Sequence, residues 1–361
     1  MIYLDHAAAT RVEDAAIEEM ARFARATPGN PQSVHTAGRD ARAAVERART
    51  RVAEFLGWDP FELRFAPSGT IALQRAIRDV LAHAPGAVVS NALEHTAVRD
   101  LHDAIATTHE LRLLAMPGGE IDMAAAEPML ADASVVILSA LNHELGTAPP
   151  LAQLFELAPH AWWIIDTVQA AVWLDLGELV RANTILVASS AKLGGPAGVA
   201  ALRVPRPQPG ASAIVGAFHG PEPWFAAVGF GAACAARRDR RAAAFAHASA
   251  NIERLLAGLR AHRSDLVVNA GPSRLGPILD VSVPGLDARH LEAALDLHGV
   301  AVARTSACRQ RLDDGSAVVA AAFPDEPWRA TTATRWSAGW TTSDADIDGA
   351  IVAFARCTDT R

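Results

Sequence analysis

Ile185-Leu186-Val187-Ala188-Ser189-Ser190-Ala191-Lys192-Leu193-Gly194-Gly195-Pro196 is the stretch from which the fold can be read. An apolar, strand-like run ends in small residues and one lysine, and glycine and proline follow at once. A primary amine is thereby placed on a constrained turn at the end of a buried strand. Lysine is almost never buried without a partner, and partial desolvation lowers its pKa and makes it a nucleophile toward aldehydes. A strand that delivers a reactive side chain at its carboxyl end is the grammar of an open α/β sheet, in which ligands bind beyond the strand ends.

Working outward, short apolar runs alternate with helical patterns from about residue 60 to 205. The expected strands are Leu63–Ala66, Ala87–Asn91, Ser134–Ser139, Trp162–Ile165, Thr184–Val187 and Val199–Val204, with helical stretches such as 71–83, 97–107 and 150–158 between them. Such alternation predicts a mainly parallel sheet covered on both faces. Glu222 to about Arg260 reads as long helix. Pro277–Val283, a helix at Ala288–Leu297, Val300–Ala303, Thr334–Ser337 and a last helix from Ser343 predict a smaller α+β domain. Two amphipathic helices are expected near the start, at about 12–25 and 37–56. The division drawn is a large domain over 15–245 and a small one over 246–361 together with residues 1–14.

The chain has 361 residues, 50% of them hydrophobic and 20% charged, with a formal net charge of −7. That balance suits a globular core and argues against a nucleic-acid partner, which needs a basic excess. No apolar run approaches the length of a membrane span, and Met1-Ile2-Tyr3-Leu4-Asp5-His6 lacks the form of a secretory signal. The cytoplasm is the expected address. Cys234, Cys308 and Cys357 are far apart and form no CxxC pair, which points away from a disulfide framework or a metal site.

The residue past each expected strand tests the idea of an aldehyde cofactor. Leu63–Ala66 leads into Pro67-Ser68-Gly69-Thr70, a small-residue turn opening a helix, which suits a phosphate. Ala87–Asn91 leads to Glu94-His95, whose imidazole can stack on a pyridine. Ser134–Ser139 leads to Asn142-His143-Glu144-Leu145-Gly146-Thr147, Trp162–Ile165 to Asp166 with Gln169 three residues on, and Thr184–Val187 to Ser189 and Lys192. A phosphate cup, a stacking ring, a carboxylate for a pyridinium nitrogen and an amine for an aldehyde are the parts that pyridoxal phosphate requires.

These motifs, in the order Tyr3-Leu4-Asp5-His6-Ala7-Ala8-Ala9-Thr10, Gly29-Asn30-Pro31-Gln32-Ser33-Val34-His35, Ser68-Gly69-Thr70, Glu94-His95, Asn142 to Thr147, Asp166-Thr167-Val168-Gln169, Ser189-Ser190-Ala191-Lys192, Ser306-Ala307-Cys308 and Arg335-Trp336-Ser337-Ala338-Gly339, resemble the class V, fold-type I pyridoxal phosphate enzymes. Within them the chain is most similar to the cysteine desulfurases. The resemblance implies a large domain with a mainly parallel, mixed seven-stranded sheet, a small α+β C-terminal domain, and a homodimer. It implies that Lys192 carries the cofactor as a Schiff base, Asp166 pairs with its ring nitrogen, His95 stacks on the ring, and Gln169 approaches its phenolic oxygen, where His143 would take the place of the family's asparagine amide. Gly69, Thr70 and Ser189 would hold the phosphate. Arg335, Asn142 and His35 would bind the substrate, L-cysteine, and Arg335 would meet its carboxylate in a bidentate pair. Cys308 would accept the sulfur as a persulfide and pass it to an acceptor protein. Its flanks, Arg304-Thr305-Ser306 and Arg309-Gln310-Arg311, are polar and basic, which favours a thiolate. Cys234 and Cys357 fall in helical patterns and read as structural.

The departures cluster at the cofactor. The family carries histidine before the lysine, where this chain has Ala191, and asparagine where His143 stands. Its glycine-rich segment, whose threonine reaches the neighbouring subunit's phosphate, is shortened to Gly216-Ala217-Phe218-His219-Gly220-Pro221-Glu222-Pro223, with Pro221 in the threonine's place. Ile71 replaces a glutamate. These changes predict a more weakly held cofactor. They leave two other readings beside the desulfurase: a class V lyase or aminotransferase acting on another amino acid, and a non-catalytic scaffold subunit.

Overall fold

The structure is a computed structural model that describes residues 1–26, 29–206, 222–304 and 315–359. Its twelve strands among those residues are β1 (Ile2–Tyr3), β2 (Leu63–Ala66), β3 (Ala87–Asn91), β4 (Glu110–Leu114), β5 (Ala133–Ser139), β6 (Trp162–Asp166), β7 (Thr184–Ser189), β8 (Ala200–Arg203), β9 (Val267–Val268), β10 (Ile278–Ser282), β11 (Val300–Ala301) and β12 (Ala333–Ser337). Seven form one sheet in the order β2-β8-β7-β6-β5-β3-β4. Neighbours from β7 through β4 run parallel, and β8 is antiparallel to both β7 and β2.

The near-continuous apolar strands of this sheet are buried on both faces, as parallel strands with helical crossovers must be. On one face Ile185 and Val187 join Val135, Ile137 and Ile164 against Leu73, Ala76, Ile77 and Val80 of the helix Gly69–Leu81. On the other, Leu186 and Ala188 join Val136, Leu138, Trp163 and Ile165 against residues such as Val52, Phe55 and Phe230. The two-residue alternation of the strands assigns each side chain its face. The turn after β7 needs Gly194, whose φ of +75° is left-handed, and a Cβ there would lie 2.9 Å from Glu13 Cγ and 3.2 Å from the Trp340 ring.

A second sheet, β12-β10-β9, is antiparallel, and β1 pairs in parallel with β11, so the first residues lie against the C-terminal third. Ser343 opens the last helix, Asp344–Thr358, with a capping box closed by Asp346.

Three local readings are corrected. The expected long helix from Glu222 is two, Trp224–Arg237 and Arg241–His262, parted by a 3-10 turn at Arg238–Arg240. The turn lets two arginines point inward: Arg237 lies 3.4 Å from the Trp340 ring centroid and Arg241 4.0 Å from that of Phe55. The 97–107 pattern is likewise two short helices, Thr96–Arg99 and His102–Ala106. Between this region and β5 runs an edge strand, β4, that the pattern did not predict. Its Glu-Leu-Arg-Leu-Leu sequence is half polar because the outer side is uncovered, and Arg112 there pairs with Glu110 and Asp132.

Candidate active site

The carboxyl ends of β2, β3, β5, β6 and β7 converge on one cavity. From β2, Ser68 caps the 13-residue helix Gly69–Leu81 by accepting the Ile71 N–H at 3.2 Å. The first-turn N–H groups of Gly69 and Thr70 have no acceptor within the helix and lie at its positive end, an anion cradle. A Cβ on residue 69 would lie 3.3 Å from Val168 Cγ2, a tight contact that glycine avoids where the backbone approaches the β6 loop. Gly69, Thr70 and Ser189 line the cavity together.

From β3 comes His95, whose Nδ1 accepts the Ala97 N–H at 3.1 Å. That bond places any ring proton on Nε2. Burial, and then the neighbouring His143 and Lys192, push the His95 pKa down to about 3, so the ring is neutral. It meets His143 edge-on with centroids 5.0 Å apart. Asp166, at the end of β6, accepts the Val168 N–H at 2.8 Å, and its burial raises its pKa. Lys192 donates to the Ala8 carbonyl, and Gln169 to the Ala7 carbonyl at 2.8 Å, so the Ala7–Ala8 segment forms the cavity's rim. His95, His143, Asp166, Gln169, Lys192 and Arg335 all face this space.

Arg335, on β12, is 2% exposed. It donates to the His143 carbonyl at 2.9 Å and to Asp5 Oδ1 at 2.9 Å, while its Nε finds no partner among the described residues. Asn142 is buried in the β5 loop and does not line the cavity. Its Oδ1 accepts the Glu144 and Leu145 N–H groups and its Nδ2 donates to the Leu93 carbonyl, which holds the loop that presents His143. His35 is exposed and caps the helix Thr36–Leu56 by accepting the Gly38 N–H, also away from the cavity. Cys308, Pro221 and Gly216 to Gly220 lie outside the described residues.

Three contributors go beyond the residues singled out from the sequence. Glu94 is fully buried and accepts from Ser139 and Asn91, and burial pushes its pKa up to about 7 against those bonds. Glu144 stands behind His143, and Asp5 faces Arg335. A stronger signal was in plain view: Lys192 is the single lysine of a chain with 33 lysines and arginines in all. A surface of arginines that retains one lysine, at a strand end, marks a position where an amine and not a mere positive charge is needed.

The sequence matches the family model described as Aminotransferase class-V over residues 2–348. The chain belongs to that family. A relative named IscS-like cysteine desulfurase, from Mycobacterium tuberculosis, is 30% identical over 97% of this chain and 94% of its own length. A mouse protein named cysteine desulfurase is 27% identical over 96% of this chain and 79% of its own. Among solved structures, one titled NifS-like protein superposes with a TM-score of 0.87 at 23% identity over 98% of each chain. A NifS-like protein from Rickettsia africae gives 0.84 at 24% over the whole of both chains. These two likenesses show the fold.

Proposed function

We propose that the protein is a pyridoxal phosphate-dependent cysteine desulfurase that converts L-cysteine to L-alanine and retains the sulfur on Cys308. The observation that carries this reading is the convergence of five strand ends on the chain's single lysine, with a buried carboxylate and a neutral imidazole beside it. The residues present fit the cofactor: an N-terminal helix cradle for a phosphate, Asp166 for a ring nitrogen, His95 for a ring face and Lys192 for an aldehyde. When bound, the cofactor supplies an electron sink for the bonds at the substrate's α-carbon.

The chain's own residues do the rest. Asp166, buried beside Lys192 and His143, would pair with the ring nitrogen and hold a proton there. Arg335, which lines the cavity, would orient the substrate carboxylate. Lys192 would be the group that moves the α-proton of the bound substrate. The Cys308 thiolate attacks the substrate sulfur, the carbon–sulfur bond breaks, and alanine leaves a persulfide behind. Sulfur changes hands with no outside oxidant or reductant.

The finer parts of the reading travel with it: a homodimer, a sulfur-acceptor protein, the division into domains near residue 245, and a reducing cytoplasmic setting, which the free thiols of Cys234 and Cys357 suit. No helix among the described residues is long and apolar enough to cross a membrane. The test is product analysis. With excess dithiol added to reduce the Cys308 persulfide, L-cysteine should yield alanine and sulfide in equal amounts, and Cys308→Ala should bind cofactor and substrate yet release little sulfide. Full turnover in that variant would move the protein to the lyase or aminotransferase reading.

A further inference from the structure

The acid–base inventory of the cavity leaves one job unfilled. A free amino acid arrives at neutral pH as an ammonium ion, and its nitrogen cannot attack until a base removes a proton. Lys192 is committed to the cofactor in the reading above, and Asp166 to the ring nitrogen. His95 cannot hold the proton, because its Nδ1 already accepts the Ala97 N–H and its surroundings disfavour the imidazolium.

His143 differs from its neighbour in every respect that matters. Its Nε2 lies 3.5 Å from Glu144 Oε1, and the Glu144 side chain is 2% exposed. Burial opposes the charge of Glu144, but bonds to His143 and Ser316 and the nearby Arg335 hold its pKa at about 2, so it is a carboxylate. A carboxylate only accepts, so Nε2 carries the hydrogen and Nδ1 is the nitrogen left for chemistry. Ser316, which accepts the Val319 N–H and donates to the other Glu144 oxygen, locks that carboxylate in place. The His143 carbonyl in turn accepts from Arg335 at 2.9 Å, so the imidazole and the carboxylate-binding guanidinium form one rigid unit. In an α-amino acid the amine and carboxylate are joined through one carbon, so a carboxylate on Arg335 brings the ammonium to this wall.

We propose that His143, steered by Glu144, is the base that takes a proton from the substrate ammonium. The N–H bond breaks with its electron pair left on the substrate nitrogen. The proton resides on Nδ1, countered through the ring by Glu144, and returns to the product amine as it leaves. Of the groups around it, the carboxyl groups of Glu144 and Asp166 favour the added proton, Lys192 and Arg335 oppose it, and His95 stays neutral beside it. His143 is the catalytic residue and Glu144 and Ser316 position it. The inference deepens the proposed function, resting on its cofactor but not on its sulfur chemistry.

The test follows the absorbance change when holoprotein meets L-cysteine or, separately, L-alanine, at neutral and alkaline pH. His143→Asn should slow the change on the order of 10²-fold at neutral pH, and the defect should shrink at alkaline pH, where the substrate amine has lost its own proton. Glu144→Gln should slow it in the same pH-dependent way. Nitrogen-resolved NMR of the histidines, without cofactor turnover, should find His143 in the Nε2–H form in the native protein and a mixed population in Glu144→Gln. A native rate in His143→Asn, a defect equal at every pH, or an Nδ1–H ring would each overturn the proposal. If L-alanine gives the expected pattern while L-cysteine yields no alanine, the desulfurase reading fails and this one stands.

Discussion

The two walls of the cavity are built by different physics. One wall is the row of strand ends of the seven-stranded sheet, where apolar strands buried on both faces force each loop to deliver its first polar residues to one edge. Its groups await a ligand: first-turn N–H groups at Gly69 and Thr70, a neutral imidazole, and a desolvated carboxylate. The other wall is a polar network of Asp5, Arg335, Glu144 and His143, drawn from the amino-terminal segment, β12 and the β5 loop, whose members are already joined to one another. The difference teaches that the first wall is set for binding and electron withdrawal. The second is set for orientation, because charges paired in advance lose little when a substrate joins them.

The largest expected effect breaks the first wall at its centre. Lys192→Arg leaves a lysine-free protein, and arginine, charged and planar, forms no stable link with an aldehyde. Visible absorbance of bound cofactor and all turnover should vanish while thermal stability stays within about 1 kcal/mol of native. A retained visible band would show that the strand ends are not centred on Lys192.

Breaking the second wall should cost less. Arg335→Lys keeps the charge but loses the planar fork that holds Asp5 and the His143 carbonyl and would hold a substrate carboxylate. A charge-assisted hydrogen bond contributes about 1.5–3 kcal/mol, so KM should rise roughly ten- to a hundredfold, with cofactor content unchanged. A fall in cofactor content alone would place Arg335 in the wrong wall.

Most of the first wall was legible because its residues follow apolar runs: the continuous run Ile185 to Ala188 marks a strand buried on both faces, and that strand ends at Ser189, two residues beyond the expected Val187. The second wall was not. Asp5 and Arg335 are 330 positions apart, and no local pattern links them. The edge strand β4 escaped notice because half its surface is polar, and the break at Arg238–Arg240 because arginine is a good helix former whose inward stacking on Trp340 and Phe55 is a tertiary event. Asn142 read as a ligand from its motif, whereas its amide makes two backbone bonds within its own loop and one to Leu93 in the loop after β3.

Ala191→His sharpens the comparison from the cofactor side. If the first wall lacks a donor there, the added imidazole should increase retention of pyridoxal phosphate through dialysis, by roughly tenfold in affinity for one hydrogen bond to a charged group. No change would mean that other groups fill the cup.

The smallest effect concerns stability. Asp280, on β10 beside Arg335, is fully buried, and burial raises its pKa from 3.8 to about 8 although Asn269 donates to it. A raised acid binds its proton more tightly folded than unfolded, so its contribution is complete below about 3.8 and lost as pH rises toward about 8. Glu94, raised to about 7, acts in the same sense. Denaturation from weakly acidic to alkaline pH should therefore show falling stability, by up to ~1.4 kcal/mol per pH unit for each such group. Asp280→Asn, which can still accept from Asn269, should flatten the fall, and an unchanged slope would show Asp280 ionised in the folded state.

The most direct test of the central claim, that the fold converges on one reactive amine, uses the chain's lack of any other lysine. Holoprotein is reduced with borohydride, and its intact mass and peptides are measured. The account predicts one pyridoxyl group per chain, on the peptide bearing Lys192, and none in Lys192→Arg. An adduct that survives in the lysine-free variant, on the amino terminus, or a native chain that carries none, would contradict it.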